Sequence, residues 1–169
     1  MPYSLFGSQF YVVMHIRAHI TPASALQYRP YLNRVWMMKK KTMPDVCPCL
    51  WQDGVLFADC CGRYIAGTAL APTAEALMRS RYSAFVKEAG DYLLQTWHPS
   101  TRPTTMDFEP TQWLGLQVEA AHDIDDSHAE VRFSARYKVN GRAHKMQENS
   151  RFVREQGAWL YVDGDVDTN

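Results

Sequence analysis

The chain has 169 residues, 46% of them apolar and 21% charged, a balance that suits one globular domain with a small appendage and excludes a disordered chain. Eighteen basic residues meet eighteen acidic ones, so the total charge gives no footprint of a nucleic-acid binder. The even total covers an uneven split. Positions 1–45 carry six Lys and Arg against Asp45, a net of +5, and positions 46–169 carry twelve basic and seventeen acidic residues, a net of −5.

No run approaches the ~20 apolar residues that a membrane-spanning helix needs. Phe10–Met14 is apolar and Ala23-Ser24-Ala25 looks like a cleavage site, but no Lys or Arg precedes the run, and His15, Arg17 and His19 interrupt it. We read no export signal and expect a cytoplasmic protein with no membrane contact. Residues 1–36 hold no sustained period of either two or 3.6. Met37-Met38-Lys39-Lys40-Lys41-Thr42-Met43 then reads like a bacterial translation start. The expectation is an upstream extension, an artefact of start-site choice, with the true start at Met37, Met38 or Met43. The alternative is a genuine basic arm, disordered on its own. Either way, residues 1–45 form a poorly patterned basic extension.

All four cysteines fall within fifteen residues, as Cys47-Pro48-Cys49 and Cys60-Cys61-Gly62. Four thiolates on one short loop can close a tetrahedral shell around zinc, and Asp53-Gly54 supplies a turn that lets the two pairs meet. A loop of this size has no core of its own, so metal binding would supply its folding energy. Two other readings stand beside this one. Free cysteines are often small buried hydrophobes, and adjacent Cys60 and Cys61 would also make an oxidisable pair, a thiol redox sensor. A four-thiolate site takes iron as well as zinc.

The main domain is expected over residues 64–169. Thr73 is a good N-cap and Glu75 favours the positive end of the dipole. Leu77, Met78, Tyr82, Phe85 and Val86 recur at helical spacing and make an apolar face. Gly90 is placed to end this helix, and Asp91 to cap a short second one holding Leu93, Leu94 and Trp97. Pro99, Pro103 and Pro110 keep the next stretch from helix. From Trp113 the period becomes two, with Leu114, Leu116, Val118 and Ala120 on one face. A second strand alternates from Val131 to Val139, Asn140-Gly141 is a strong hairpin signal, a third strand covers about 143–155, and Trp159–Asp163 makes a fourth. Helices followed by an antiparallel meander define an α+β fold.

Several separated stretches resemble one family in the right order. Cys47-Pro48-Cys49 with Phe57-Ala58-Asp59-Cys60-Cys61-Gly62 is similar to a SEC-C motif, the small zinc-binding element also found at the end of the secretion motor SecA. The run from Ala71 to Val86, then Asp91-Tyr92-Leu93, Thr96-Trp97-His98-Pro99, Trp113-Leu114-Gly115-Leu116, Ser150-Arg151-Phe152 and Trp159-Leu160-Tyr161-Val162-Asp163-Gly164 resemble the YchJ-like family, bacterial proteins of unestablished function. The resemblance covers about residues 47–164. It implies a SEC-C-like zinc motif over 46–63, with Cys47, Cys49, Cys60 and Cys61 as ligands, and a nuclear-transport-factor-2-like cone, a curved sheet wrapped round helices. Two departures stand out. Leu50–Leu56 replaces the family's shorter Gly-Ser-Gly loop with its basic residue, and Asp163-Gly164-Asp165-Val166-Asp167 stands where some members carry a second SEC-C motif.

Cones of this fold often hold a pocket. Met146, Glu148, Ser150 and Phe152 share one face of the third strand, so if Phe152 points inward, Glu148 does too. Arg81 lies at the edge of the helix's apolar face, and we expect it to pair with Glu148, because an unpaired buried carboxylate costs several kcal/mol. Arg81, Tyr82, Trp97 and Glu148 are the pocket candidates. Trp113, Trp159 and Tyr161 are most simply core or lining. Glu148 as a general base is weighed against a structural ion pair, and the ion pair is the simpler reading. His98, between Trp97 and Pro99, reads as a capping or packing histidine. No nucleophile–base order, phosphate loop or dinucleotide fingerprint appears, so no catalytic residue is assigned. The expected function is that of a zinc-binding protein acting by interaction, with a protein partner. Other SEC-C bearers point to the translation or secretion machinery. The alternatives are a small-molecule or enzymatic pocket centred on Glu148 and Arg81, and the thiol sensor.

Overall fold

Two of the three turns of the sheet use left-handed backbone, which favours Gly or Asn. The computed structural model describes residues 45–168, so the reading of residues 1–36 as an extension falls outside the described residues. Four strands, β1 (Gln112–Asp123), β2 (His128–Val139), β3 (Arg142–Glu155) and β4 (Ala158–Thr168), form one antiparallel meander in that spatial order. Asn140 and Gly141 both take positive φ, 51° and 78°, the backbone a two-residue hairpin needs to match strand twist. Gln156 and Gly157 repeat it at 50° and 85° between β3 and β4. The β1–β2 turn is closed by Asp125, whose Oδ1 accepts from the amides of Ser127 and His128.

Register shifts at Trp113/Gly115 and Val118/Ala120 in β1, and at Arg151/Phe152 between β3 and β4, bend the sheet. The first one corrects the expected alternation. An extra residue at a bulge inverts side-chain parity, so Trp113 turns inward, whereas Leu114, expected beside Leu116, is exposed. The fourth strand also runs five residues beyond expectation, pairing Gly164–Thr168 with Met146–Ser150.

Among the described residues three helices precede the sheet: α1 (Gly62–Ile65), α2 (Ala74–Val86) and α3 (Gly90–Gln95). The Thr73 hydroxyl accepts from the Ala76 amide and starts α2 as expected. Its end differs. Glu88, at φ 55°, takes the left-handed position, and Gly90 opens α3 instead of closing α2. Asp91 sits in the first turn of α3, where its charge favours the dipole, but Ala89 holds the cap position.

α2 is buried nearly all round, with Leu77, Leu93, Val131 and Phe152 among the fully buried side chains of the core. Its polar residues are buried as well, because the cysteine motif and α3 cover the faces that the sheet leaves open. Ser80, wholly inaccessible, exchanges a 2.6 Å hydrogen bond with the Tyr92 hydroxyl and donates to the Leu77 carbonyl. Beyond α3 the chain is stitched to the β4 edge. The His98 amide donates to the Tyr161 carbonyl, and the Tyr161 amide donates to the Thr96 carbonyl. No helix among the described residues is long and apolar enough to cross a membrane.

Candidate metal centre and cone cavity

The cysteine segment is a tight hairpin before it is a metal site. Val46 and Leu56 form an antiparallel bridge, the Cys47 amide donates to the Val55 carbonyl at 2.8 Å, and the Phe57 amide donates to Asp45 at 2.7 Å. Gly54, at φ 75°, makes the reversal that Asp53-Gly54 predicted. A 3-10 turn over Phe57–Asp59 then leads into Cys60, Cys61 and α1. All four Sγ atoms lie within 4.8 Å of one another. Cys47 to Cys49 is 3.5 Å, Cys49 to Cys60 is 3.6 Å and Cys60 to Cys61 is 3.9 Å. Four thiolates around a tetrahedral ion with metal–sulfur bonds of ~2.3 Å stand ~3.8 Å apart along each edge, so the cluster already has the size of a coordination shell.

Its electrostatics point the same way. Hydrogen bonds from Cys49 and Cys61 push the Cys47 thiol far down, while the same bonds push Cys49 up to about 12 and Cys61 higher still. Sulfurs this close resist ionising together. A bound cation is what would let four thiolates coexist. Cys47, Cys49 and Cys61 are buried and Cys60 is half-buried. The cluster rests on α2, where Ser83 Oγ lies 3.7 Å from Cys47 Sγ and Arg79 donates to the Cys49 carbonyl at 3.1 Å. Neither contact was legible in the sequence, which marks Arg79 and Ser83 only as polar helix positions.

On the opposite side of α2 the curved sheet encloses a cavity of about 270 Å³. Met78, Phe85, Trp113, Phe133, Met146 and Phe152 make its apolar wall. All four pocket candidates, Arg81, Tyr82, Trp97 and Glu148, line it, together with Ser150 and Tyr161. Arg81 is only 6% exposed, and burial lowers its guanidinium to about 10, which leaves it charged at neutral pH. The expected Arg81–Glu148 ion pair does not form: the structure places no carboxylate within 4.0 Å of Arg81 among the described residues. The two charges have separate partners instead. Arg81 Nη1 donates to the Leu93 carbonyl and the Thr96 hydroxyl, both at 2.8 Å, at the negative end of α3, and the guanidinium packs on the Trp97 and Tyr161 rings. Glu148 Oε1 accepts from Ser150 Oγ at 2.7 Å and the Tyr161 hydroxyl at 2.9 Å. Gly164 makes room for it, since a Cβ there would stand 2.8 Å from Glu148 Cγ and 2.9 Å from Cδ. His98 stays outside the cavity, bonded to Ser100 and 3.4 Å from Glu155, which suits the packing role.

A bent antiparallel meander closing over a buried helix and an apolar cavity is the architecture of a nuclear-transport-factor-2-like domain, and here it carries a four-cysteine motif on that helix. The family model described as "YchJ, middle NTF2-like domain" matches residues 73–164. A UPF0225 protein of Bordetella parapertussis is 52% identical over 136 residues, covering 77% of this chain and 99% of its own. One from Cupriavidus pinatubonensis is 53% identical over 135 residues, covering 75% and 92%. Among solved structures, the chain is similar to a SEC-C motif containing protein from Rhodopseudomonas palustris, with a TM-score of 0.63 and 32% identity, covering 73% of this chain and 98% of that one. It is also similar to a SEC-C motif containing protein from Psychrobacter arcticus, with a TM-score of 0.60 and 31% identity, covering 69% and 80%. The chain belongs to the YchJ-like UPF0225 family.

Proposed function

We propose that the chain is a zinc-dependent protein-interaction module of the cytoplasm, in which Cys47, Cys49, Cys60 and Cys61 hold Zn²⁺ and the surrounding loop presents an apolar contact surface. The observation that carries this reading is where the exposed apolar residues lie. Val46, Leu50, Trp51 and Leu56 all sit on the cysteine hairpin, and Trp51 is 60% exposed. Trp51 also stacks on the Arg79 guanidinium, 4.6 Å from its ring centroid, and borders a groove beside Cys60, Tyr64 and Glu75. An exposed tryptophan held rigid beside an arginine is the kind of anchor that dominates protein interfaces. The loop Leu50–Leu56, longer than its family counterpart by the resemblance drawn above, supplies that anchor. Zinc suits the site because a closed, buried four-thiolate shell needs no open coordination position. When bound, the metal supplies folding energy and neutralises the thiolates; the chain's residues supply the surface.

Elemental mass spectrometry on protein purified under reducing conditions should find about one zinc per chain, and Cys60→Ser should lower that content. Affinity capture from growing cells with the parent and with the Leu50→Ser/Trp51→Ser double variant tests the surface. The variant should keep its metal and lose a partner that the parent retains, the translation and secretion machinery being the first sets to search. The same proteins recovered with both chains would overturn the surface, and iron in place of zinc would return the site to the thiol-redox reading.

A further inference from the structure

The cone cavity is bipolar, and the two poles are incompletely used. Arg81 spends Nη1 on Leu93 and Thr96, but neither Nε nor Nη2 has a hydrogen-bond partner among the described residues. Glu148 spends Oε1 on Ser150 and Tyr161, and its Oε2 has none. These atoms are not sealed away, because the only buried side-chain nitrogen or oxygen without a partner among the described residues is Trp159 Nε1. Both residues face one cavity, more than 4.0 Å apart, and most of the remaining wall is apolar. We propose that the cavity binds a single α-amino acid with a bulky apolar side chain: its carboxylate on the Nε–Nη2 edge of Arg81, its ammonium on Glu148 Oε2, and its side chain between Met78, Phe85 and Phe152.

The chemistry selects this class by elimination among simpler ligands. The Nε–Nη2 edge of a guanidinium presents two parallel N–H groups, which match a carboxylate. A lone anion would satisfy Arg81 but leave Glu148 desolvated beside it, and a lone cation would do the reverse. A hydrocarbon would bury the apolar wall at the expense of both ions. A zwitterion answers both charges at once. Size sets the upper limit. At about 270 Å³ the cavity lies just below the roughly 300–1,000 Å³ that holds drug-sized ligands, which suits a single amino acid. Position is enforced from the outside as well. Ser150, Tyr161 and the absent Cβ of Gly164 together fix the Glu148 carboxylate, an arrangement that a purely structural charge on a half-buried strand does not need. The inference rests on the cavity's own residues and not on the interaction surface.

Isothermal titration of the full metal-loaded chain with L-leucine and L-phenylalanine tests it. Glycine, 4-methylpentanoate and isopentylamine each remove one of the three recognised features. At least one of the two amino acids should bind, and each truncated compound should bind at least tenfold more weakly. Glu148→Gln should weaken the amino acid at least tenfold and bring it level with 4-methylpentanoate. Gly164→Ala should reproduce that loss without changing the charge, because it displaces the carboxylate from Tyr161 and Ser150. If either variant fails to fold, the ligand series on the parent chain decides alone. Binding of neither amino acid at 10 mM, equal binding of 4-methylpentanoate or isopentylamine to the parent, or a folded Glu148→Gln with unchanged affinity would each overturn the proposal.

Discussion

Gly62→Ala separates two physical effects of opposite sign. Gly62 is the first residue of α1, and it is buried with an ordinary helical backbone, so propensity alone would make alanine better by up to ~1 kcal/mol. Space argues the other way. A Cβ at this position would stand 2.6 Å from the Phe57 carbonyl oxygen and 3.0 Å from its carbon. These are backbone atoms and cannot swing aside as a side chain can. The same oxygen accepts the Cys60 amide at 3.1 Å, the bond that sets Cys60 into the cluster. Overpacking of this kind costs ~1–3 kcal/mol and a lost hydrogen bond ~1 kcal/mol, so the net is a destabilisation of about 1–3 kcal/mol. If half or more of it falls on the metal-bound state, metal affinity drops on the order of tenfold. Urea denaturation of the metal-loaded protein and competition against a chromogenic chelator read the two quantities. A variant as stable as the parent, with equal metal affinity, would refute the claim that Phe57 and Gly62 are locked together.

Ser80→Ala should cost ~1–3 kcal/mol in urea denaturation, since it strands the buried Tyr92 hydroxyl, and the Ser80→Ala/Tyr92→Phe double variant should recover part of it. Thr73→Ala removes the side-chain acceptor for the Ala76 amide and should cost ~1 kcal/mol. Burial pushes the Tyr82 and Tyr92 hydroxyls from 10.0 up to about 12, so the stability they contribute is complete below pH 10 and is lost as pH rises towards 12. The melting temperature should fall over that window, and Tyr92→Phe should make the fall shallower; an equal slope would remove burial as the cause. Chelation should lower the melting temperature through one shifted transition, not two, because a ligand confined to the native state stabilises all that folds with it.

What the sequence made legible was governed by local rules. Thr73 capped its helix, Asn140-Gly141 turned its hairpin, and the Met146–Phe152 alternation placed Glu148 in the cavity. What it hid depends on contacts distant along the chain. The β1 bulge reverses the parity of Leu114, and no residue type announces that reversal. Asp163–Asp167 looks like an acidic tail because β4 is an edge strand, whose outer residues answer to solvent. Ser80 and Ser83 look like a polar helix face until α3 and the cysteine motif close over them. The missing Arg81–Glu148 pair has the same origin. Each charge found a partner on a neighbouring element, the Leu93 carbonyl for one and the Tyr161 hydroxyl for the other, before it could reach its opposite.

Both candidate sites rest on the same thirteen residues of α2. Arg79 and Ser83 meet the cysteine hairpin, while Met78, Arg81, Tyr82 and Phe85 face the cavity, so two faces of one helix serve the two sites. A helix this short is marginal without tertiary packing, and its packing here comes from the cysteine motif on one side and the sheet on the other. Loss of a metal held by the cysteines would therefore loosen one of the two supports that hold Arg81 over α3. The cavity's apolar wall is anchored mainly in the sheet, through Trp113, Phe133, Met146 and Phe152, and would persist. The polar end would not, because it needs α2 and α3 in register. Ligand recognition by charge is thus the property of this fold most exposed to the state of the four cysteines, and the hydrocarbon cavity the least.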